Sequence, residues 1–434
     1  MTLRRKLASQ SAVILAARVF GSGAIFVLQA LMARMWGSDL LGEYLLLIAA
    51  INLIAMVMPL GFATVGTYFT SRYIAQGQGR QLRAFMVRAY AHIGLVCATL
   101  LVLGYPATRF LGEAGAVLAQ VFVPSIILAA ALAVVFLNGA VLVGLRRPIA
   151  GYMADAVFRP LAIIAAFALA SVFSMPAERI GSMFWMLAAI YGLVAVIHFA
   201  FVVGPVRTLP EGPSPIAGEA RQWWRYAVPW VLISIATDFF FDIDLLLLAG
   251  MLDRHTLAVF GVCAKIFSLV SFGVSAVYAV TMPDMFASAA KSDTDGLHAR
   301  VGDANLVATG LAVVLFSGAA LGAPLVLRLF GPGFEAGAAP LAILCLGLVV
   351  RGIFGPASLV LSMRDKPAAS LPAVFGGVAS LIVFNLLLVP RFGLMGAAVA
   401  ALSAMTLWSA ALWFTALRGT RVDVSIFPRL RRAA

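Results

Sequence analysis

The sequence predicts an all-α integral membrane protein with about twelve transmembrane helices in two pseudo-symmetric six-helix lobes. Three observations carry that expectation. Apolar stretches recur along the whole chain, which is 63% hydrophobic and only 11% charged. Basic residues gather on alternate connections between those stretches. A short motif near the beginning of the chain returns at its middle.

The 434 residues have a mean hydropathy of +1.02. Soluble domains are nearer half apolar and about a quarter charged. About 20 apolar residues cross a hydrocarbon core of roughly 30 Å as a helix, and a helix satisfies its own backbone where lipid cannot.

The first span, 11–35, follows Arg4-Arg5-Lys6. It is too long for a secretory h-region, and no small-residue cleavage site follows it, so it reads as an uncleaved helix. The second covers 40–65. The third and fourth, 86–107 and 114–138, are joined by a short turn around Gly104-Tyr105-Pro106. The fifth, 149–172, carries Asp155, Arg159 and a proline, Pro160, that predicts a kink. The sixth is 182–204.

Residues 205–225 contain Pro205, Pro210, Pro213 and Pro215 and read as a linker between lobes. The second lobe, 226–418, holds spans at 226–250, 256–281, 303–327, 337–361, 368–389 and 394–417, and a basic tail, 419–434, follows it. The first lobe is 1–204.

Of 31 Lys and Arg residues, six (Arg34, Arg109, Arg179, Arg254, Arg328 and Arg391) fall on one side of this arrangement and four (Arg18, Arg159, Lys265 and Arg351) inside spans. The other 21 fall on the side of the N-terminus, among them Arg72, Arg80, Arg83, Lys291, Arg364, Lys366, Arg431 and Arg432. Lys and Arg accumulate in short cytoplasmic loops. The bias therefore predicts a multi-pass protein of the cell inner (plasma) membrane with both termini and the 205–225 linker in the cytoplasm. It also accounts for the net charge of +13 without a nucleic-acid partner. Cys97, Cys263 and Cys345 lie in apolar runs and read as packing thiols.

Ala33-Arg34-Met35-Trp36 and Gly42-Glu43-Tyr44 align at constant offset with Ala249-Gly250-Met251-Leu252 and Ala258-Val259-Phe260. Six spans return the chain to its starting side, so such halves are parallel repeats about an axis along the membrane normal. Two such lobes would leave a central cleft.

Ionisable residues inside spans are costly and face a cavity or a partner. Arg18 either snorkels to the headgroups or lines a cavity. Asp155 and Arg159 are four apart and can pair on one helical face, the alternative being contact with substrate. Lys265 lies at the depth of Asp242 and Asp244 on the neighbouring helix, so a bridge to one of them is expected. Asp238 shares a face with Asp242, whereas Asp244 points roughly the other way. Arg351, near the middle of the tenth span with no acidic residue within four positions, reads as a cavity cation. Asp242-Ile243-Asp244 matches a D-x-D metal motif only superficially, and no nucleophile, phosphate loop or metal cluster suggests an enzyme.

Three stretches resemble the multidrug/oligosaccharidyl-lipid/polysaccharide (MOP) exporter superfamily, in particular its Wzx-like polysaccharide-transport branch. They are Leu31-Met32-Ala33-Arg34-Met35-Trp36-Gly37 with Leu41-Gly42-Glu43-Tyr44 and Leu60-Gly61-Phe62; Leu329-Phe330-Gly331 and Phe334 with Pro340-Leu341-Ala342-Ile343-Leu344; and Asn385 to Pro390 with Gly393 and Gly396-Ala397-Ala398. In order, they cover essentially the whole chain.

The resemblance implies a MATE-like architecture and a flippase for undecaprenyl-pyrophosphate-linked oligosaccharide repeat units in surface polysaccharide biosynthesis. Alternating access through a cationic cavity would carry the anionic head group while the polyprenyl tail stays in lipid. Arg351, Arg18, Lys265 and Arg159 are the expected substrate-binding cations, able to form charge-assisted hydrogen bonds to phosphate. The lipid II flippase of the superfamily is similar in having a cavity arginine on its first helix, which Arg18 would match. Its sodium site implies Asp238, Asp242 and Asn385 as ion-coupling residues here. No cofactor is expected beyond Na+ or H+ coupling, and partners would be membrane lipid and other polysaccharide-assembly proteins. The alternative is a cation-coupled multidrug exporter of the same superfamily, with a membrane polymerase or ligase ranked below both.

Overall fold

The computed structural model describes residues 3–212, 218–290, 294–363 and 366–429. Pro213, Pro215, Lys291, Arg364, Arg431 and Arg432, named above, lie outside them. The described residues form helices and no strand.

The main helices in chain order are α1 (Leu3–Trp36), α2 (Ser38–Val57), α3 (Phe62–Ala75), α4 (Gly79–Thr99), α5 (Gly112–Gln120), α6 (Phe122–Gly144), α7 (Pro148–Met153) and α8 (Arg159–Phe173). They continue as α9 (Arg179–Arg207), α10 (Glu219–Asp238), α11 (Phe240–Leu248), α12 (Arg254–Ala290), α13 (Thr294–Leu327), α14 (Ala338–Phe354), α15 (Ala357–Met363) and α16 (Leu371–Thr420). Ten helical stretches among the described residues are long and apolar enough to cross a membrane.

Two further crossings come from breaks. The 50 residues of α16 contain Gly393 at φ 53, ψ −130, a backbone that side-chain-bearing residues avoid, and the helix doubles into two spans there. The expected seventh span is interrupted at Phe239 (φ −115, ψ 23) and appears as α10 and α11. Each of the twelve expected spans therefore has a helical counterpart.

Prolines explain two local departures. The turn expected around Gly104-Tyr105-Pro106 is helical; a π turn at Leu100–Gly104 leads into Tyr105–Ala107, and the chain bends later, at Gly112 (φ 57). The kink expected at Pro160 is a second π turn, Ala154–Phe158. Each π turn ends two residues before a proline. Proline has no N–H and crowds the carbonyl four residues back, and a widened turn relieves both defects.

The chain divides into two compact units, Met1–Asp242 and Ile243–Ala434. This division falls later than the linker read from the sequence, because α10 packs within the first unit. Trp223 of α10 is buried, donates its indole N–H to the Tyr73 hydroxyl at 2.6 Å and meets Phe62 and Phe85 edge-on. Residues of the expected linker also belong there: the amides of Gly79 and Arg80 donate to the carbonyls of Pro210 and Glu211, and Arg80 pairs with the Glu211 carboxylate. Helix α6 is the apolar centre of this unit, with Ile126, Leu132, Leu137 and Val141 buried.

In the second unit Phe260, Cys263, Phe330, Phe334 and Cys345 are buried together with Leu344. Cys263 and Cys345 are the packing thiols expected, whereas Cys97 is half-buried.

Helix α12 begins with a side-chain cap. Asp253 accepts from the Thr256 amide at 3.0 Å and from its hydroxyl at 2.6 Å. These hydrogen bonds hold the Asp253 carboxyl below the usual carboxylate range. Asp253→Ala is expected to cost about 1 kcal/mol. Because the folded value is depressed, the contribution is complete above the unfolded value of about 3.9 and fades as pH falls through the folded one. Thermal unfolding in detergent should separate variant from parent at pH 7 and bring them together near pH 2.

Candidate functional site

In the first unit four polar side chains from three different helical regions form a chain. Arg159 Nη1 lies 3.3 Å from Asp155 Oδ1, the i, i+4 pair expected, with side-chain exposures of 18% and 48%. The other arm of the guanidinium donates to Asn52 Oδ1 on α2. Asn52, itself buried, passes the connection on by donating Nδ2 to Asp242 Oδ1 on α11 at 3.2 Å. Asp155 lies within the π turn and Arg159 follows it directly, ahead of Pro160.

This geometry redefines Arg159. Its hydrogen bonds go to a carboxylate and an amide of the same unit, which makes it a strut between helices. Arg159→Ala would leave Asn52 and Asp155 without their donor, at about 1–3 kcal/mol for the buried group. Asp155→Ala should cost less, since half of that side chain is exposed. Thermal midpoints of the two variants in detergent test the ordering, and equal shifts would contradict it.

Arg18, on α1, is exposed and stacks its guanidinium over the Tyr152 ring of α7 at 4.7 Å from the centroid. No carboxylate pairs with it among the described residues. Asp238 closes α10, exposed, next to the break at Phe239 that separates its helix from that of Asp242.

In the second unit Asn385 is joined to a carboxylate other than the two expected with it. Asn385 on α16 is buried, as a ligand would be, but its partner is Asp244: Nδ2 donates to Asp244 Oδ1 at 2.6 Å. Asp244 is fully buried, and its Oδ2 and the Asn385 Oδ1 have no hydrogen-bond partner among the described residues. A buried carboxylate beside a neutral amide needs a cation or a proton. Two orphaned oxygens on hydrogen-bonded side chains suit a small hard cation. The bridge expected from Lys265 is absent: Lys265 is half-buried and pairs with no carboxylate among the described residues.

Arg351 occupies a different place from the one expected. The tenth span breaks at Gly355-Pro356, so Arg351 sits in the last turn of α14 and not at mid-helix. A helix C-terminus favours a cation. There it lines a cavity of about 370 Å³ with Ser271, Ser275, Tyr278, Ser358 and Ser409. None of the lining residues is acidic.

Asn52 and the serines carry no signal in the sequence. Asp244 is named there as an intramembrane charge set apart from Asp242 by helical phase, but not as the partner of Asn385.

No family model matches the chain, and no curated protein matches it by sequence. Solved structures match over nearly its full length. The inward-facing conformation of a multidrug resistance MATE family transporter of the MOP superfamily gives a TM-score of 0.76 at 14% identity, covering 95% of this chain and 98% of that one. The lipid II flippase MurJ in an inward closed conformation gives 0.73 at 12% identity, covering 93% and 87%. An outward-facing conformation of a MATE family transporter gives 0.65 at 14% identity, covering 94% and 96%. The protein has the all-α, multi-pass fold of the MOP-superfamily transporters.

Proposed function

We propose that the protein is a flippase that moves polyprenyl-pyrophosphate-linked oligosaccharide units across the inner membrane for surface polysaccharide assembly. The observation that carries this reading is the Arg351 cavity, a guanidinium among hydroxyls with no acidic lining residue. Phosphate takes charge-assisted hydrogen bonds from the guanidinium, serine and tyrosine hydroxyls serve sugar hydroxyls, and a cationic drug would meet repulsion. Arg18 is a second accessible cation, held over an aromatic ring. The fold shared with a lipid II flippase agrees with a lipid-linked cargo.

Transport is secondary in this reading. Asp244 and Asn385 bind Na+ or H+ in one state and release it in another as the binding groups are exposed to each face of the membrane in turn. The concentration of Lys and Arg on alternate loops supports cytoplasmic termini. Membrane lipid and the other polysaccharide-assembly proteins are the partners.

The MATE likeness and the acidic members of the Asn52 network favour a second reading, cation-coupled multidrug export. Gene deletion separates them. Flippase function predicts loss of surface polysaccharide, accumulation of undecaprenyl-linked repeat units and unchanged drug susceptibility. Normal polysaccharide with heightened drug susceptibility would transfer the assignment to efflux.

A further inference from the structure

The segment after the last helix of the second unit is built into the fold. Arg421 turns the chain at φ 58. Val422, Val424, Ser425 and Ile426 are then buried, and the two valines pack with Met285, Val301, Ala357 and Leu361. The carbonyl of Val424 accepts from Asn305 Nδ2 on α13 at 3.0 Å, and the Ile426 amide donates to the Ile353 carbonyl at the end of α14, also at 3.0 Å.

Side chains add to these ties. Asp423 accepts from Trp413 on α16 and from both the amide and the hydroxyl of Ser425. Its own amide donates to His298 on α13. Arg429 pairs with Asp303 at 2.7 Å and donates to the Ala299 carbonyl. Gly355, at φ 77, makes the approach possible: a Cβ there would lie 1.9 Å from the Val424 carbonyl oxygen.

The same residues border the Arg351 cavity. Gly355 and Tyr278 line it, and the Tyr278 hydroxyl donates to Asn305 Oδ1 at 2.7 Å, so one amide joins α12, α13 and the segment. We propose that residues 421–429 are a clamp that ties α12, α13, α14 and α16 together at one end and governs how readily the Arg351 cavity opens. A slower transport cycle as its consequence rests on the transporter reading; the clamp itself is testable without any cargo.

Two measurements on the full-length protein in detergent decide it. In Asp423→Ala, a cysteine at the half-buried cavity position Ser271 (Ser271→Cys) should react with a charged maleimide at least about tenfold faster than in the clamped parent, since several hydrogen bonds are removed at once. The background from Cys97, Cys263 and Cys345 is subtracted with the unsubstituted protein. The second variant, Ile353→Cys with Ile426→Cys, staples the clamp when oxidised. Amide hydrogen exchange at 351–357 should then slow by at least about tenfold and recover on reduction. An unchanged labelling rate in Asp423→Ala while amides 422–426 exchange faster, or exchange at 351–357 indifferent to the staple, would overturn the proposal. Either result would leave the flippase reading standing.

Discussion

Arg351→Ala should reduce export of the lipid-linked cargo by roughly 10- to 100-fold, the range expected when one charge-assisted hydrogen-bond donor is lost from a binding site. The measurement is restoration of surface polysaccharide in a strain lacking the chromosomal gene, at matched expression. Folding should survive the change: the side chain is exposed at the end of α14, and its dipole contribution there is only about 0.3–1 kcal/mol. Arg351→Lys should recover part of the activity, because the charge remains while the planar fork is lost. Full export by the alanine variant would remove the cavity from the transport path.

Asp244→Asn should abolish ion coupling with little change in shape. A ligand that binds only the folded state stabilises it by about 2.7 kcal/mol at a concentration of 100 times its dissociation constant. If Asp244 and Asn385 hold Na+, NaCl should raise the thermal midpoint of the parent above that in KCl, and the asparagine variant should lose the difference. If they hold a proton, the parent should show no sodium effect, and the variant should transport at a rate independent of an imposed pH gradient. Asp244→Ala should in addition destabilise the second unit by about 1–3 kcal/mol, since the buried Asn385 amide loses its acceptor. A parent indifferent to both ions would leave the pair a structural hydrogen bond.

Hydropathy and the loop charges sufficed for the number and order of the spans, because lipid imposes length and composition on each segment directly. The breaks were harder. Phe239 carries no breaking residue type, and Gly355-Pro356, a recognisable breaker, sat inside an unbroken apolar run that hid it. That break is what moves Arg351 from mid-helix to a helix end. The Asp155–Arg159 pair was legible because a four-residue spacing on one helix is local information. Its extension to Asn52 and Asp242 joins α8, α2 and α11, and such partnerships depend on tertiary packing. The same holds for Asp244: helical phase separated it from Asp242, but only the position of Asn385 decides which carboxylate becomes the buried one.

The bend at Gly393 has a practical consequence. With Gly396 pressed against the Leu388 carbonyl, at 2.4 Å from where a Cβ would stand, the last two crossings meet with no connecting loop between them. An epitope or reporter spliced at that tip would pry the pair apart, and its signal would describe a damaged molecule.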